Sequence, residues 1–343
     1  MRWMVICAVW GLVGCAASPD ANLAPTGPFS KLVVFGDSVS DNGNLAALTA
    51  GTLTGPPYYP GRFCNGPNWV DRLAERLGVD VQPSVLGGTN YAFGAATTGH
   101  GLARWEGTPV GPNLLEQIQL YRDQPRGSEL FAVWCGAADA VNTIAGQCTA
   151  TAEGVADHIA AAITTLYDRG GRFFLVVNLP DFGLMPRYRA EDVRPALTDL
   201  CSAINTAVAA RLDQIDQRPG ITVFRLDAAT TLADMVKSPP EGVTNVTDPA
   251  WSGTFFGYLG GGGELADNPD AYLFWDNLHP AGVWHEEVAE QAMALFAGQI
   301  PAPESNTAPL DLQPLRLPPF IDYQLTYLML VTQSGGAPGE CRF

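Results

Sequence analysis

Residues 31–44 have the sequence KLVVFGDSVSDNGN, and this stretch decides the fold. Its first five residues are mostly apolar and partly β-branched, which is typical of a buried strand in a parallel sheet. Glycines flank the next residues and permit a tight turn, which would lift the hydroxyl of Ser38 above the sheet edge. Because open α/β sheets hold their active sites at that edge, Ser38 is a candidate nucleophile. Ordinary turn chemistry is the alternative, and we expect Asp37 to cap the following helix.

Short apolar runs and helical patterns alternate along the rest of the chain. Further buried strands are predicted at residues 131–135, 173–178 and 221–226. Helical patterns lie at residues 68–77, 113–122, 152–168, 196–215 and 281–297. Strands that alternate with helices predict the α/β class, with a central parallel sheet covered on both faces.

A second stretch with candidate catalytic residues lies near the other end of the domain, at residues 274–280 (FWDNLHP). Asp276 precedes His279 by three residues, so one turn of backbone can bring the carboxylate onto the imidazole. A histidine oriented in this way can act as general base for a serine hydroxyl. His285 is the rival base, but no carboxylate lies three residues before it. A metal site of His279, His285 and Glu286 is possible by ligand type, yet its spacing matches no metalloenzyme signature.

These two stretches resemble the conserved blocks of the GDSL (SGNH) family of serine esterases and lipases, in the branch with G-D-S-x-S-D-x-G-N. Residues 61–70 (GRFCNGPNWV) are similar to the family's G-R-F-S-N-G-x-x-W-V block, and residues 90–95 (NYAFGA) to its N-[FY]-A-x-G-[GA] block. Residues 174–180 (FLVVNLP) match a further block, so the resemblance covers about residues 31–297 in the family's order. Each block alone is a weak signal, whereas the ordered set is specific.

The resemblance implies a three-layer α/β/α, flavodoxin-like hydrolase domain over residues 29–300. It also implies that Ser38 is the nucleophile, His279 the general base and Asp276 the residue that orients it. The backbone N–H groups of Ser38 and Gly94 would hold the oxyanion, and no cofactor or metal would be needed. The implied reaction is hydrolysis of acyl or lipid esters through an acyl-enzyme. An acyltransferase or phospholipase with the same triad is the alternative.

One block departs from the family pattern. The family's third block is G-x-N-D, whereas residues 136–139 are GAAD, so Ala138 stands where the asparagine would be. The resemblance implies that this asparagine donates a hydrogen bond to the oxyanion, and loss of one such donor costs about 10² to 10³ in rate. Asn142, one helical turn further on, or an ordered water could replace it. A non-catalytic binding protein descended from an esterase is the remaining alternative.

The amino terminus predicts export. Residues 4–13 form an apolar stretch of signal-peptide length, and residues 12–15 (LVGC) resemble the bacterial lipobox. We therefore predict a signal peptide at residues 1–14, acylation of Cys15, and a tether over residues 15–28. The protein would then be anchored in the cell envelope, and in a Gram-negative cell Ala16 would indicate delivery to the outer membrane. The alternative is a plain secretory signal cleaved after Ala16 or Ala17, which would give a secreted protein.

The charge of the chain limits its possible partners, and its cysteine content limits the possible disulfides. The net charge is −16, and Lys31 and Lys237 are the only lysines, which argues against nucleic-acid binding. Five cysteines would remain after export and acylation, and they allow up to two disulfides whose pairing the sequence does not give. Nothing in the sequence indicates an oligomeric state.

Two segments near the carboxyl end interrupt the alternation. Residues 239–270 are rich in glycine and proline, and we expect them to frame the substrate cleft or to form a surface loop. Residues 301–343 form a proline-rich tail outside the family pattern. Within this tail, residues 323–331 are apolar, and we expect them to pack on the domain.

Overall fold

The computed structural model describes residues 28–105 and 108–297. Its strands are β1 (Lys31–Gly36), β2 (Leu102–Trp105), β3 (Thr108–Pro112), β4 (Glu129–Trp134), β5 (Phe173–Val177), β6 (Thr222–Leu226), β7 (Asn245–Pro249) and β8 (Tyr272–Phe274). Its helices are α1 (Asn44–Leu48), α2 (Trp69–Leu77), α3 (Leu114–Leu120), α4 (Ala137–Ile144), α5 (Ala152–Asp168), α6 (Arg194–Ile215), α7 (Ala228–Lys237) and α8 (Gly282–Phe296).

The four strands predicted from apolar runs form one sheet in the order β1-β4-β5-β6. All three pairings are parallel, with Val33 opposite Phe131 and Phe131 opposite Phe174. The strands are rich in apolar residues because both faces of a parallel sheet are covered, and all six residues of β4 are buried. The predicted α/β class with a central parallel sheet is therefore confirmed.

The helices pack in two sets that cover this sheet. In one set, α8 packs against α2 and α7. In the other set, α5 packs against α6, with α3 beside α5 and α4 beside α6. Helix α2 begins where Asn68 accepts N–H groups of Val70 and Asp71 and Asp71 accepts the N–H of Asn68, which is a capping box. Arg72 and Arg76 of α2 then pair with Glu286 of α8. The result is the three-layer arrangement that the sequence predicts.

Several elements were absent from the prediction. These are the hairpin of β2 and β3 and helix α7, whereas the helices after Ser38 and after Gly136, α1 and α4, were expected without stated bounds. The loop expected at residues 239–270 is interrupted by β7, which pairs in parallel with β8. This pairing joins the loop to the strand that leads into Asp276.

Some predictions fall wholly or partly outside the described residues. The signal peptide at residues 1–14, Cys15 with most of its tether, and the tail at residues 301–343 stay predictions. Among the helices that the structure describes, none has the length and apolar character to cross a bilayer. Within the same part of the chain, Cys64, Cys135 and Cys201 are free, and Cys148 is disulfide-bonded.

Candidate active site

Ser38 lies in the turn at the carboxyl end of β1. The side chain of Gln117 fixes this turn, since its Oε1 accepts the N–H of Gly36 at 2.9 Å and its Nε2 donates to the Gly36 carbonyl at 2.8 Å. A Cβ at Gly36 would lie 2.1 Å from the Trp134 carbonyl oxygen, so only glycine fits there. The N–H groups of Ser40 and Asp41 donate to the Asp37 carbonyl and close the turn behind the serine.

Asp276 organises the loop that carries His279. Its Oδ1 accepts the N–H groups of Leu278 at 2.7 Å and His279 at 2.8 Å, which is an Asx-turn. Its Oδ2 lies 2.9 Å from Nδ1 of His279. The three-residue spacing therefore lets one carboxylate fold the loop and orient the ring, and Asp276 is 1% exposed.

The structure brings the two distant stretches together. Nε2 of His279 lies 2.9 Å from Oγ of Ser38, across 241 positions of sequence. The three candidate catalytic residues thus form one hydrogen-bonded chain from Asp276 through His279 to Ser38. This geometry allows the imidazole to take the serine proton while the carboxylate stabilises the imidazolium.

Tyr58 is a site residue that the sequence analysis missed. Its hydroxyl donates to Oδ2 of Asp276 at 2.8 Å, although the two residues are 218 positions apart. Burial and the negative charge of Asp276 raise the pKa of the Tyr58 hydroxyl, so it stays protonated as a donor. No local spacing links the two residues, and the signal available was only that Tyr58 adjoins a block that resembles the family.

Two aromatic side chains enclose the imidazole. The ring of Phe63 lies 4.9 Å from that of His279, and the ring of Phe255 meets it edge-on at 5.3 Å. Phe255 belongs to residues 239–270, so this segment frames the cleft as expected. These contacts leave His279 6% exposed and restrict water around the candidate base.

The two expected oxyanion donors differ in their surroundings. Among the described residues, no acceptor hydrogen-bonds the N–H of Ser38. The N–H of Gly94 instead donates to Oδ2 of Asp41 at 2.9 Å. Asp41 also accepts the N–H groups of Gly43, Asn44 and Leu45. To bind an oxyanion, the N–H of Gly94 would have to donate to Asp41 and to the oxyanion at the same time. The role of Gly94 therefore stays a prediction.

Ala138 and Asn142 both line the cleft from helix α4. The side chain of Asn142 is half-buried, and within the described part of the chain it forms no hydrogen bond. Ala138 presents a methyl group where the family asparagine would present an amide. An amide is therefore available on this wall of the cleft, one helical turn beyond the expected position.

The expectation that Asp37 caps the helix after the turn is wrong. Helix α1 begins after Gly43, and Asp41 accepts the N–H groups of its first two residues, Asn44 and Leu45. Asp37 instead accepts the N–H of Val39 at 3.2 Å and lies near the N–H of Ala137, at the start of α4. Burial raises the pKa of Asp37 to about 7, although these N–H groups and the nearby His279 act in the opposite direction. Its Oδ2 is buried and unpaired among the described residues.

His285 has a structural role. Its Nδ1 accepts the N–H of Trp69 at 3.3 Å, and burial lowers the pKa of His285 to about 3. Glu286 is held by Arg72 and Arg76. His279, His285 and Glu286 therefore have separate partners and do not converge on one point.

The cleft beside Ser38 has a volume of about 320 Å³. Its larger apolar lining residues include Leu45, Leu53, Phe63, Val110, Phe182 and Phe255. Polar groups beyond the candidate catalytic residues include Asn142, Arg187 and Tyr188. A cleft of this composition suits an apolar acyl group with its ester placed at Ser38.

Comparison with known proteins gives matches over most of the chain. Residues 32–292 match the family model described as GDSL-like Lipase/Acylhydrolase. A phosphatidylcholine-sterol acyltransferase of Aeromonas hydrophila is 24% identical over 313 residues, which cover 79% of this chain and 91% of that protein. A GDSL lipase of Tanacetum cinerariifolium is 27% identical, with 81% of this chain and 85% of that protein covered. A solved structure of a lipolytic protein of the G-D-S-L family from Veillonella parvula aligns with a TM-score of 0.45 and 13% identity, covering 78% of this chain and 98% of that one.

Proposed function

The chain belongs to the GDSL-like lipase/acylhydrolase family and is an ester hydrolase, and we propose that it cleaves acyl or lipid esters through Ser38, His279 and Asp276. The observation that carries this proposal is the hydrogen-bonded chain from Asp276 Oδ2 to His279 Nδ1 and from His279 Nε2 to Ser38 Oγ, with both distances at 2.9 Å.

In the proposed reaction, Oγ of Ser38 attacks the ester carbonyl carbon while Nε2 of His279 takes the serine proton. The tetrahedral intermediate collapses, and the imidazolium returns that proton to the departing alcohol. A water molecule, deprotonated by His279, then attacks the acyl-enzyme and releases the acid. Asp276 stays ionised throughout and stabilises the imidazolium, while Tyr58 and two backbone N–H groups hold the carboxylate in place.

The developing oxyanion needs preorganised donors. We assign this role to the N–H of Ser38 and to the N–H of Gly94, with Gly94 sharing its proton between Asp41 and the oxyanion. Because Ala138 has no donor group in its side chain, we expect slower turnover than three donors would give. Asn142 is the side chain best placed on the same helix to compensate.

The substrate class follows from the cleft. Its apolar lining suits an acyl chain, and the polar residues suit the alcohol part of the ester. Acyl transfer is the second candidate, supported by the similarity to the Aeromonas hydrophila acyltransferase. Both reactions use the same three residues and differ only in whether water or an alcohol attacks the acyl-enzyme. Product analysis with an added alcohol acceptor distinguishes them.

We further propose that the enzyme works outside the cytoplasm and is anchored to a membrane through an acylated Cys15. The lipobox-like residues 12–15 support this proposal. Metabolic labelling with a radioactive fatty acid tests it, because Cys15→Ser should lose both the label and the membrane fraction. Labelling that persists in Cys15→Ser would refute the assignment.

A panel of p-nitrophenyl esters of increasing chain length tests the hydrolase. The parent protein should hydrolyse them and Ser38→Ala should lose activity by about 10³-fold or more. A fluorophosphonate probe should label the parent at Ser38 and leave Ser38→Ala unlabelled. No hydrolysis and no labelling in a folded parent protein would favour the non-catalytic binding alternative.

A further inference from the structure

Residues 42–61 and residues 251–263 contain no charged residue. We refer to these two stretches together as the neutral rim.

The two stretches of the neutral rim pack against each other. The N–H of Thr54 donates to the Phe255 carbonyl at 2.8 Å, and the N–H of Tyr258 donates to the Pro56 carbonyl at 2.8 Å. The backbones approach so closely that a Cβ at Gly257 would lie 2.1 Å from the Pro56 carbonyl oxygen. Sequence segments about 200 positions apart therefore form one continuous surface.

This surface is continuous with the wall of the cleft. Leu45 and Leu53 from the first stretch and Phe255 from the second line the cleft beside Ser38. Phe255 also contacts the ring of His279. The neutral rim thus borders the path by which an apolar substrate would reach the catalytic serine.

The outer face of the neutral rim carries exposed apolar side chains. Tyr59 is 40% exposed, Tyr258 57% and Leu259 76%. Tyr258 and Leu259 stand on a one-turn helix, Gly257–Gly260, within the second stretch. Tyrosine and leucine are suited to the boundary between water and lipid, because tyrosine combines an apolar ring with a polar tip.

We propose that the neutral rim docks on a zwitterionic lipid surface and places the cleft against the lipid from which the substrate comes. This proposal rests on the proposed function. The lack of charged residues in the neutral rim favours such a partner, because Tyr258 and Leu259 can insert without burying an ion. Arg62, which lies over the ring of Tyr59, is already paired with Asp71. An anionic surface would repel a protein of net charge −16. The same charge opposes self-association of two copies.

Leu259→Asp tests the surface, with Leu86→Asp as a matched control. Leu86 is an exposed leucine, at 64%, that belongs to neither stretch of the neutral rim. Both variants are made in the full chain with Cys15→Ser, so that no acyl group contributes to binding. Co-sedimentation with phosphatidylcholine vesicles should fall about tenfold or more for Leu259→Asp and stay unchanged for Leu86→Asp. Hydrolysis of soluble p-nitrophenyl acetate should be unchanged in both.

Equal vesicle binding by Leu259→Asp and the parent would overturn the proposal, as would tighter binding to vesicles rich in phosphatidylglycerol than to phosphatidylcholine. A parent dimer in light scattering that Leu259→Asp dissociates would assign the surface to a second copy and also overturn it. A parent that binds vesicles but fails to hydrolyse p-nitrophenyl acetate would instead refute the proposed function alone.

Discussion

Replacing Ala138 with asparagine tests how the oxyanion is stabilised. Ala138 is the second residue of α4, lines the cleft and is half-buried. A longer side chain therefore has room on the cleft side. At a position in the first helical turn, asparagine costs at most about 0.7 kcal/mol relative to alanine. The fold should therefore tolerate Ala138→Asn.

The expected gain is large because one of the two expected backbone donors is already engaged. The N–H of Gly94 is already engaged by Asp41 at 2.9 Å, which leaves the Ser38 N–H as the unengaged donor of the expected pair. One preorganised side-chain donor stabilises the transition state by about 2.7 to 4 kcal/mol. We therefore predict that kcat rises by about 10²-fold to 10³-fold while KM changes little, since the donor acts on charge that develops in the transition state.

The assay is steady-state hydrolysis of p-nitrophenyl butyrate, with the concentration of active enzyme fixed by fluorophosphonate titration. Ala145→Asn is the matched control, because Ala145 lines the same cleft two turns further along the chain and makes the same chemical change. It should leave kcat within about threefold of the parent. Urea unfolding should show free energies of unfolding within about 1 kcal/mol for both variants.

An unchanged or lowered kcat in Ala138→Asn would refute this reasoning. Asn142→Ala then identifies the cause, because Asn142 is the other amide on this helix that lines the cleft. If Asn142 already supplies the donor, Asn142→Ala should lose about 10²-fold to 10³-fold in kcat. Adding Ala138→Asn to that variant should then restore activity.

Three further predictions concern the groups around the triad. Asp276→Asn should lower kcat by about 10⁴-fold in the p-nitrophenyl assay, because it removes the charge that stabilises the imidazolium. A loss of less than tenfold would show that Asp276 does not take part in catalysis. Tyr58→Phe removes the 2.8 Å hydrogen bond to Asp276 and should lower the free energy of unfolding in urea by about 1.5 to 3 kcal/mol, with an unchanged value contradicting the assignment. Burial raises the pKa of Asp37 to about 7, so its contribution to stability is complete below the unfolded pKa near 3.8 and is lost as pH rises through 7. Asp37→Asn should therefore gain stability relative to the parent as pH rises from about 4 to about 7 in urea unfolding, whereas a pH-independent difference would show that Asp37 does not titrate there.

The sequence predicted those features that depend on neighbours along the chain. The apolar run at residues 31–35 identified a buried strand because a strand covered on both faces excludes polar side chains, and this placed Ser38 at the sheet edge. The three-residue spacing of Asp276 and His279 predicted their contact, since one turn of backbone closes that distance. The family resemblance supplied the pairing of Ser38 with His279 by analogy.

Other features were decided by the tertiary structure, because they join segments that share no local pattern. The hydroxyl of Tyr58 donates a hydrogen bond to Asp276, which lies 218 positions further along the chain. The N–H of Gly94 donates to Asp41, which lies 53 positions earlier. The neutral rim forms in the same way, when residues 42–61 meet residues 251–263. Periodicity and spacing indicate which face of a helix or strand is buried. Which segment packs against that face depends on how the whole chain folds. Burial likewise set the pKa of Asp37, because desolvation depends on atoms from several elements rather than on the two residues beside it.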